Sequence, residues 1–78
     1  MQTKVLVKMQ NDAKSLERMM ARVRESEFQV RNINARLSLD ETVFFVTMEV
    51  EGESPTAELS TTLKQLAEVR SVELTPPM

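Results

Sequence analysis

Apolar and polar residues alternate along Lys4-Val5-Leu6-Val7-Lys8-Met9, the period-two pattern of a half-buried strand. Val5, Val7 and Met9 share one face; Lys4, Leu6 and Lys8 share the other. From Ala13 to about Ser26 the period changes. Leu16, Met19, Met20 and Val23 recur at i, i+3, i+4 and i+7, the stripe of an amphipathic helix. Asn11-Asp12, just before it, supplies turn and cap chemistry. Lys14, Arg18 and Arg22 form a second stripe at i, i+4 spacing, read as a solvated face balanced by Glu17 and Glu25.

A second extended stretch runs from Phe28 to Leu39. Ile33, Ala35 and Leu37 agree in phase and Val30 does not, which predicts a bulge or a late strand start near Arg31. Arg31, Asn32, Asn34 and Arg36 make this the most polar strand, as suits an edge. Leu39-Asp40-Glu41 reads as a hairpin loop. Thr42 to Glu51 then carries Phe44, Val46, Met48 and Val50 on one face and Val43, Phe45 and Thr47 on the other, the pattern of a central strand. Ser54 is placed to cap a second helix with Pro55 at its first position, and Leu59, Leu63, Leu66 and Ala67 give its stripe. Val69 to Thr75 is the last strand, ended by Pro76-Pro77.

The order β-α-β-β-α-β predicts one α+β domain over residues 1–78, a ferredoxin-like sandwich. Right-handed crossovers put both helices on one face of a four-stranded antiparallel sheet in the order 4-1-3-2. The first and third strands are then central and the second lies at an edge.

Composition removes much chemistry. The 78 residues contain no His, Cys, Tyr or Trp, so the usual disulfide, zinc, haem, Ser-His and Cys-His arrangements are excluded. A single glycine, Gly52, excludes a phosphate-cradling loop and a dinucleotide fingerprint. Ten basic against 12 acidic residues give net charge −2, without the basic excess of nucleic-acid modules. Val43-Phe44-Phe45-Val46 on a third strand is faintly like an RNA-recognition strand, but the first strand offers no aromatic for stacking. An acylphosphatase-like hydrolase would need Arg near the first strand–helix turn, and Asn11-Asp12 supplies none. No apolar run approaches a membrane span, and no signal segment precedes the first strand. The expectation is a cytoplasmic protein bound to neither nucleic acid nor membrane.

The helix Leu16-Glu17-Arg18-Met19-Met20-Ala21-Arg22-Val23-Arg24, followed by Phe28-x-Val30-x-x-Ile33, resembles an ACT domain. It is similar above all to the small subunits of acetolactate synthase (acetohydroxyacid synthase), in particular the short isozyme II type. The resemblance implies a non-catalytic regulatory subunit that binds and activates a large subunit in branched-chain amino-acid biosynthesis. Thiamine diphosphate, magnesium and FAD would sit on that partner, with no cofactor on this chain. The alternative is an ACT-type amino-acid-sensing or interaction module of another enzyme.

Effector-binding ACT domains carry Asn-x-Pro-Gly at the first turn and an Asn at the second strand. Here Asn11 matches the first Asn, Ala13-Lys14 replaces Pro-Gly, and Gln29 takes the second Asn position. Lys14 puts a long stem where a ligand needs space. Asn11, Asp12, Lys14 and Gln29 therefore read as the remnant of an effector pocket, with helix capping the favoured role of Asn11 and Asp12. Leu6, Val43 and Phe45 would lie exposed on the sheet face away from the helices, a partner surface. Arg31, Ile33 and Ala35 on the edge strand would pair two copies into a homodimer.

Overall fold

A computed structural model describes residues 2–53 and 55–75 of the chain. Its elements are β1 (Gln2–Gln10), α1 (Ser15–Glu25), β2 (Gln29–Leu37), β3 (Val43–Glu51), α2 (Thr56–Lys64) and β4 (Val69–Thr75). The strands form one antiparallel sheet in the order β2-β3-β1-β4, the arrangement that the hydrophobic pattern predicts. β1 and β3 are central and pair along their full length, from Gln2 opposite Glu51 to Gln10 opposite Val43.

The alternation sorts the sheet into two unlike faces. Val5, Val7 and Met9 of β1 and Val46, Met48 and Val50 of β3 are buried in one cluster with Met19 and Val23 of α1 and Leu59 and Leu63 of α2. Each such side chain contributes about 1.5–3 kcal/mol when fully buried. Leu16, Met20, Val30, Ile33, Leu66, Val72 and Leu74 close the rim of this core. Among the described residues the other face carries no helix.

β2 carries the bulge that its mixed phase requires. Val30 pairs with Val50 and Asn32 with Glu49, so Arg31 is the extra residue. The shift turns both Val30 and Ile33 toward the helices, while the Arg31 guanidinium reaches Glu51 at 2.9 Å. A second bulge sits in β4, where Lys8 faces Ser71 and Met9 faces Val69; the sequence pattern carries no sign of it.

Several boundaries differ from the sequence reading. α1 starts at Ser15, because the Asp12 carbonyl accepts from the Ser15 amide at 3.1 Å and holds Ala13 and Lys14 in a turn. β2 ends at Leu37, since the Ser38 amide already donates across to Val43 (2.8 Å) to close the hairpin. α2 ends at Lys64. The Gln65 and Leu66 amides donate to Thr62 and Leu63, tight turns that swing the chain toward β4 and leave Ala67 exposed rather than on the helix stripe. Pro55 lies just outside α2 with ψ 132°, one residue earlier than read. The Ser54 cap and the Pro76-Pro77 stop lie outside the described residues.

α1 ends in a Schellman turn: Glu27 N–H donates to Arg24 and Phe28 N–H to Val23. Glu27 therefore adopts φ 65°, a conformation that glycine reaches more easily. The turn drops Phe28 onto Gly52, where an added Cβ would lie 2.7 Å from the ring. Glycine is needed at 52 and is absent at 27. Glu27→Gly should accordingly raise stability by about 0.5–1 kcal/mol, and Gly52→Ala should lower it by about 1–3 kcal/mol. Urea unfolding midpoints at constant slope check both; equal midpoints for the two variants would contradict this packing.

Candidate functional site

The β1–α1 turn is built by three neighbours at one end of the sheet. The backbone amide of Asn11 donates to the Thr42 carbonyl (2.9 Å), and its side-chain amide donates to the Glu41 carbonyl (2.7 Å). The turn is thereby fastened to the β2–β3 loop. Asp12 accepts from the Ala13 amide at 2.8 Å through Oδ1, and its other oxygen lies 3.6 Å from Arg18. The Ser15 hydroxyl donates to the Asp12 carbonyl at 3.0 Å. Neither Asn11 nor Asp12 caps α1: its N-cap residue is Lys14, without a side-chain cap bond, which corrects the capping role read from the sequence.

Arg18 also corrects the reading of the basic stripe. Its Nε lies 3.5 Å from Glu68, a carboxylate largely shielded before β4, rather than being balanced by Glu17 or Glu25. Arg18 thus ties the turn to the strand that follows α2, and the Gln10 amide ties it again at the Glu68 carbonyl (2.7 Å). Glu68 Oε2 is buried without a hydrogen bond, so the guanidinium is its compensating charge. Sequence reasoning missed this pair, which joins positions 50 residues apart (68 − 18) with no local pattern.

Of the four pocket residues expected, three lie together and one does not. Asn11, Asp12 and Lys14 follow Gln10 at one end of β1. Gln29 opens β2 opposite Glu51, level with Gln2 at the other end. The nine residues of β1 separate the two groups by roughly 27 Å. Within one chain Gln29 and Asn11 cannot hold the same small ligand. The side-chain nitrogen of Asn11 and the carboxylate of Asp12 are already engaged by the protein itself, and Lys14 is exposed.

The face without helices presents the expected apolar residues. Leu6 and Phe45 remain 37% and 39% exposed, and Val43 is half-buried. The Arg36 guanidinium lies 5.7 Å from the Phe45 ring centroid. A shallow groove of about 450 Å³ runs across this face between Arg36, Phe45, Leu6, Lys8 and Glu73. On the edge, β2 bonds only to β3, so its outer backbone row is unpaired within the sheet. There Arg31 is bound to Glu51, Ile33 is half-buried and Ala35 is exposed. Two exposed leucines escaped the sequence reading, Leu37 and the fully exposed Leu39. An apolar residue inside the polar loop Ser38-Leu39-Asp40-Glu41 was the available signal. Among the described residues no group of three or more acidic side chains could hold a metal, and no helix is long and apolar enough to cross a membrane.

Residues 11–72 match the family described as the ACT domain. Among solved structures, the ACT domain from the GTP pyrophosphokinase of Chlorobium tepidum superposes with TM-score 0.79 at 10% identity, covering 95% of this chain and 96% of that one. A formyltetrahydrofolate deformylase from Pseudomonas putida KT2440 gives 0.75 at 14% identity; 99% of this chain aligns with 29% of that enzyme. The C-terminal domain of the MgtC protein from Mycobacterium tuberculosis gives 0.70 at 16% identity, covering 97% and 86%. At these identities the likeness is one of fold. No curated protein matches the chain in sequence.

The loop that braces Asn11 is itself held by Asp40. Its carboxylate accepts from the hydroxyls of Ser38 (2.6 Å) and Thr42 (2.8 Å) and from the Thr42 amide (3.1 Å). These bonds, Ser38 first, hold its pKa down from 3.8 to about 2. A carboxyl depressed by folding stabilises the loop fully above pH 3.8, and that contribution is lost as pH falls toward 2. NMR titration should therefore give an Asp40 midpoint near pH 2, with Ser38 and Thr42 signals following it. A midpoint at the ordinary carboxyl value would contradict the bracing.

Proposed function

The chain belongs to the ACT domain family, a regulatory module rather than a catalytic one, and on that premise we propose that it is a small subunit of acetolactate synthase. In this reading it binds and activates a large subunit that carries thiamine diphosphate, magnesium and FAD. The observation that carries it is the segment Leu16 to Arg24 followed by Phe28-x-Val30-x-x-Ile33. That segment supplies the core stripe of α1, the ring over Gly52 and the bulged start of β2.

Two copies pair along the free β2 edge in this proposal. The outer backbone row there needs a partner, and a 78-residue domain has little core to spare. Antiparallel pairing of β2 with its copy would extend the sheet about a two-fold axis.

Amino-acid inhibition through the first turn is not part of the proposal. A zwitterion needs partners for both charges, because an unpaired buried charge is very costly. Asn11 spends its side-chain amide on Glu41, Asp12 spends its carboxylate on Ala13 and Arg18, and Gln29 is at the far end of the sheet. Lys14 alone would offer an exposed pairing of about 1 kcal/mol at most.

Two outcomes test this function. Addition of the folded chain to its acetolactate synthase large subunit should raise acetolactate formation from pyruvate; an unchanged rate with both chains folded would contradict the assignment. Valine titrated into the isotope-labelled chain should leave the amide signals of Asn11 to Ser15 in place. Saturable shifts there at sub-millimolar valine would make the turn a working effector site.

A further inference from the structure

Two of the four large apolar side chains left exposed in the described residues, Leu39 and Phe45, lie at the β2–β3 end of the sheet, Phe45 on the open face. Leu37 pairs with Phe44, which packs against the core, and so belongs to the helix side. Leu39 is entirely in solvent, yet the loop carrying it is not loose. Asp40 closes that loop with three bonds, the Glu41 amide donates to the Ser38 carbonyl at 3.0 Å, and Asn11 fastens the Glu41 carbonyl to β1. A rigid loop holding one leucine into water is a preformed knob, because the entropy of ordering it is already spent before any contact.

The same face carries what such a knob fits. Leu39 borders a hollow of about 530 Å³ with Arg36, Leu37, Asp40 and Phe45, of which Arg36 and Phe45 are the open-face pair next to the hairpin loop. Arg36 and Phe45 also line the neighbouring groove of about 450 Å³. That groove has an apolar floor from Leu6 and Phe45 and two cations, Lys8 and Arg36; Glu73 stands across it on β4. Arg36 makes no ion pair among the described residues. The knob is apolar at Leu39 and acidic at Asp40 and Glu41.

We propose that this groove receives the Leu39-Asp40-Glu41 knob of a second copy of the chain, with the two copies stacked open face to open face. Charge and shape argue for a second copy. The knob carries two carboxylates beside a leucine, and the groove offers two cations beside an apolar floor. The knob closes the hairpin whose strands β2 and β3 line one side of the groove, a few residues from Arg36 and Phe45. A two-fold axis between the stacked faces, running across the strands at the level of Val43, places each knob over the other groove. Arg36 then meets Glu41 of the other copy twice, as an isologous contact requires. This contact uses side chains of the sheet face, whereas β2 edge pairing uses backbone, so the two surfaces are independent and together would build four chains. The proposal stands apart from the identity of any catalytic partner.

The symmetry makes the test specific. Arg36→Glu and Glu41→Lys both alter exposed side chains, and each variant alone places like charges at both contacts. Sedimentation equilibrium of either variant should show face-to-face association weakened by about tenfold or more relative to the parent. An equimolar mixture of the two restores both contacts, one as the parent Arg36–Glu41 pair and the other with its signs reversed, so it should recover the parent's association as a hetero-pair. Leu39→Asn should weaken association with no loss in thermal midpoint. Single variants that associate like the parent, or a mixture that stays as weak as its components, would overturn the proposal. So would a parent chain whose association is the same with and without Leu39.

Discussion

Burial of a single face of the sheet is the constraint on which the rest of this structure depends. A chain of 78 residues has apolar side chains enough for one layer between two helices and four strands. Val5, Val7, Met9, Val46, Met48 and Val50 fill that layer, and the period of two then forces Leu6, Val43 and Phe45 to the other side. A sheet with one bare face and two edges is an incomplete solution for a monomer. The open face and the β2 edge are by-products of the core pattern and are also the surfaces available for association.

The second constraint is the short distance available for each reversal. β1 reaches α1 through four residues, and that turn is held to its neighbours as well as to its own helix. Asn11 spends its side chain on the β2–β3 loop, and Arg18 reaches across to Glu68. Residues that would have to face a ligand in an effector-binding turn are occupied in holding three loops together. This is a physical reason for the turn to be structural, and it leaves the loop tip at Leu39 rigid and exposed.

The architecture was legible because each strand announces its own surroundings. Two-sided apolarity marks β1 and β3 as central, and polarity marks β2 as an edge. The phase conflict between Val30 and Ile33 points to a bulge or a late strand start near Arg31, of which the bulge is what forms. Less legible were features decided by tertiary partners. Leu66 and Ala67 continue a helical spacing, yet the chain has to turn there to bring Glu68 beside Gln10, and the helix stops at Lys64. Asn11 and Asp12 look like caps by residue type, but Thr42, Glu41 and Arg18 claim them first. The Gln29 position was assigned by likeness along the sequence, and the strand length carries it to the opposite end of the sheet. A resemblance along the chain conveys which residue types recur; it does not convey which of them meet within one copy.

The central claim is that this domain works as a subunit, by attachment to a thiamine-diphosphate enzyme. Affinity purification of the full chain from the cells that make it, with mass spectrometry of what accompanies it, tests that claim most directly. The account predicts recovery of an acetolactate synthase large subunit in amounts comparable to the chain itself. Recovery of the chain alone, or with a different enzyme in matching amount and no acetolactate synthase, would contradict it.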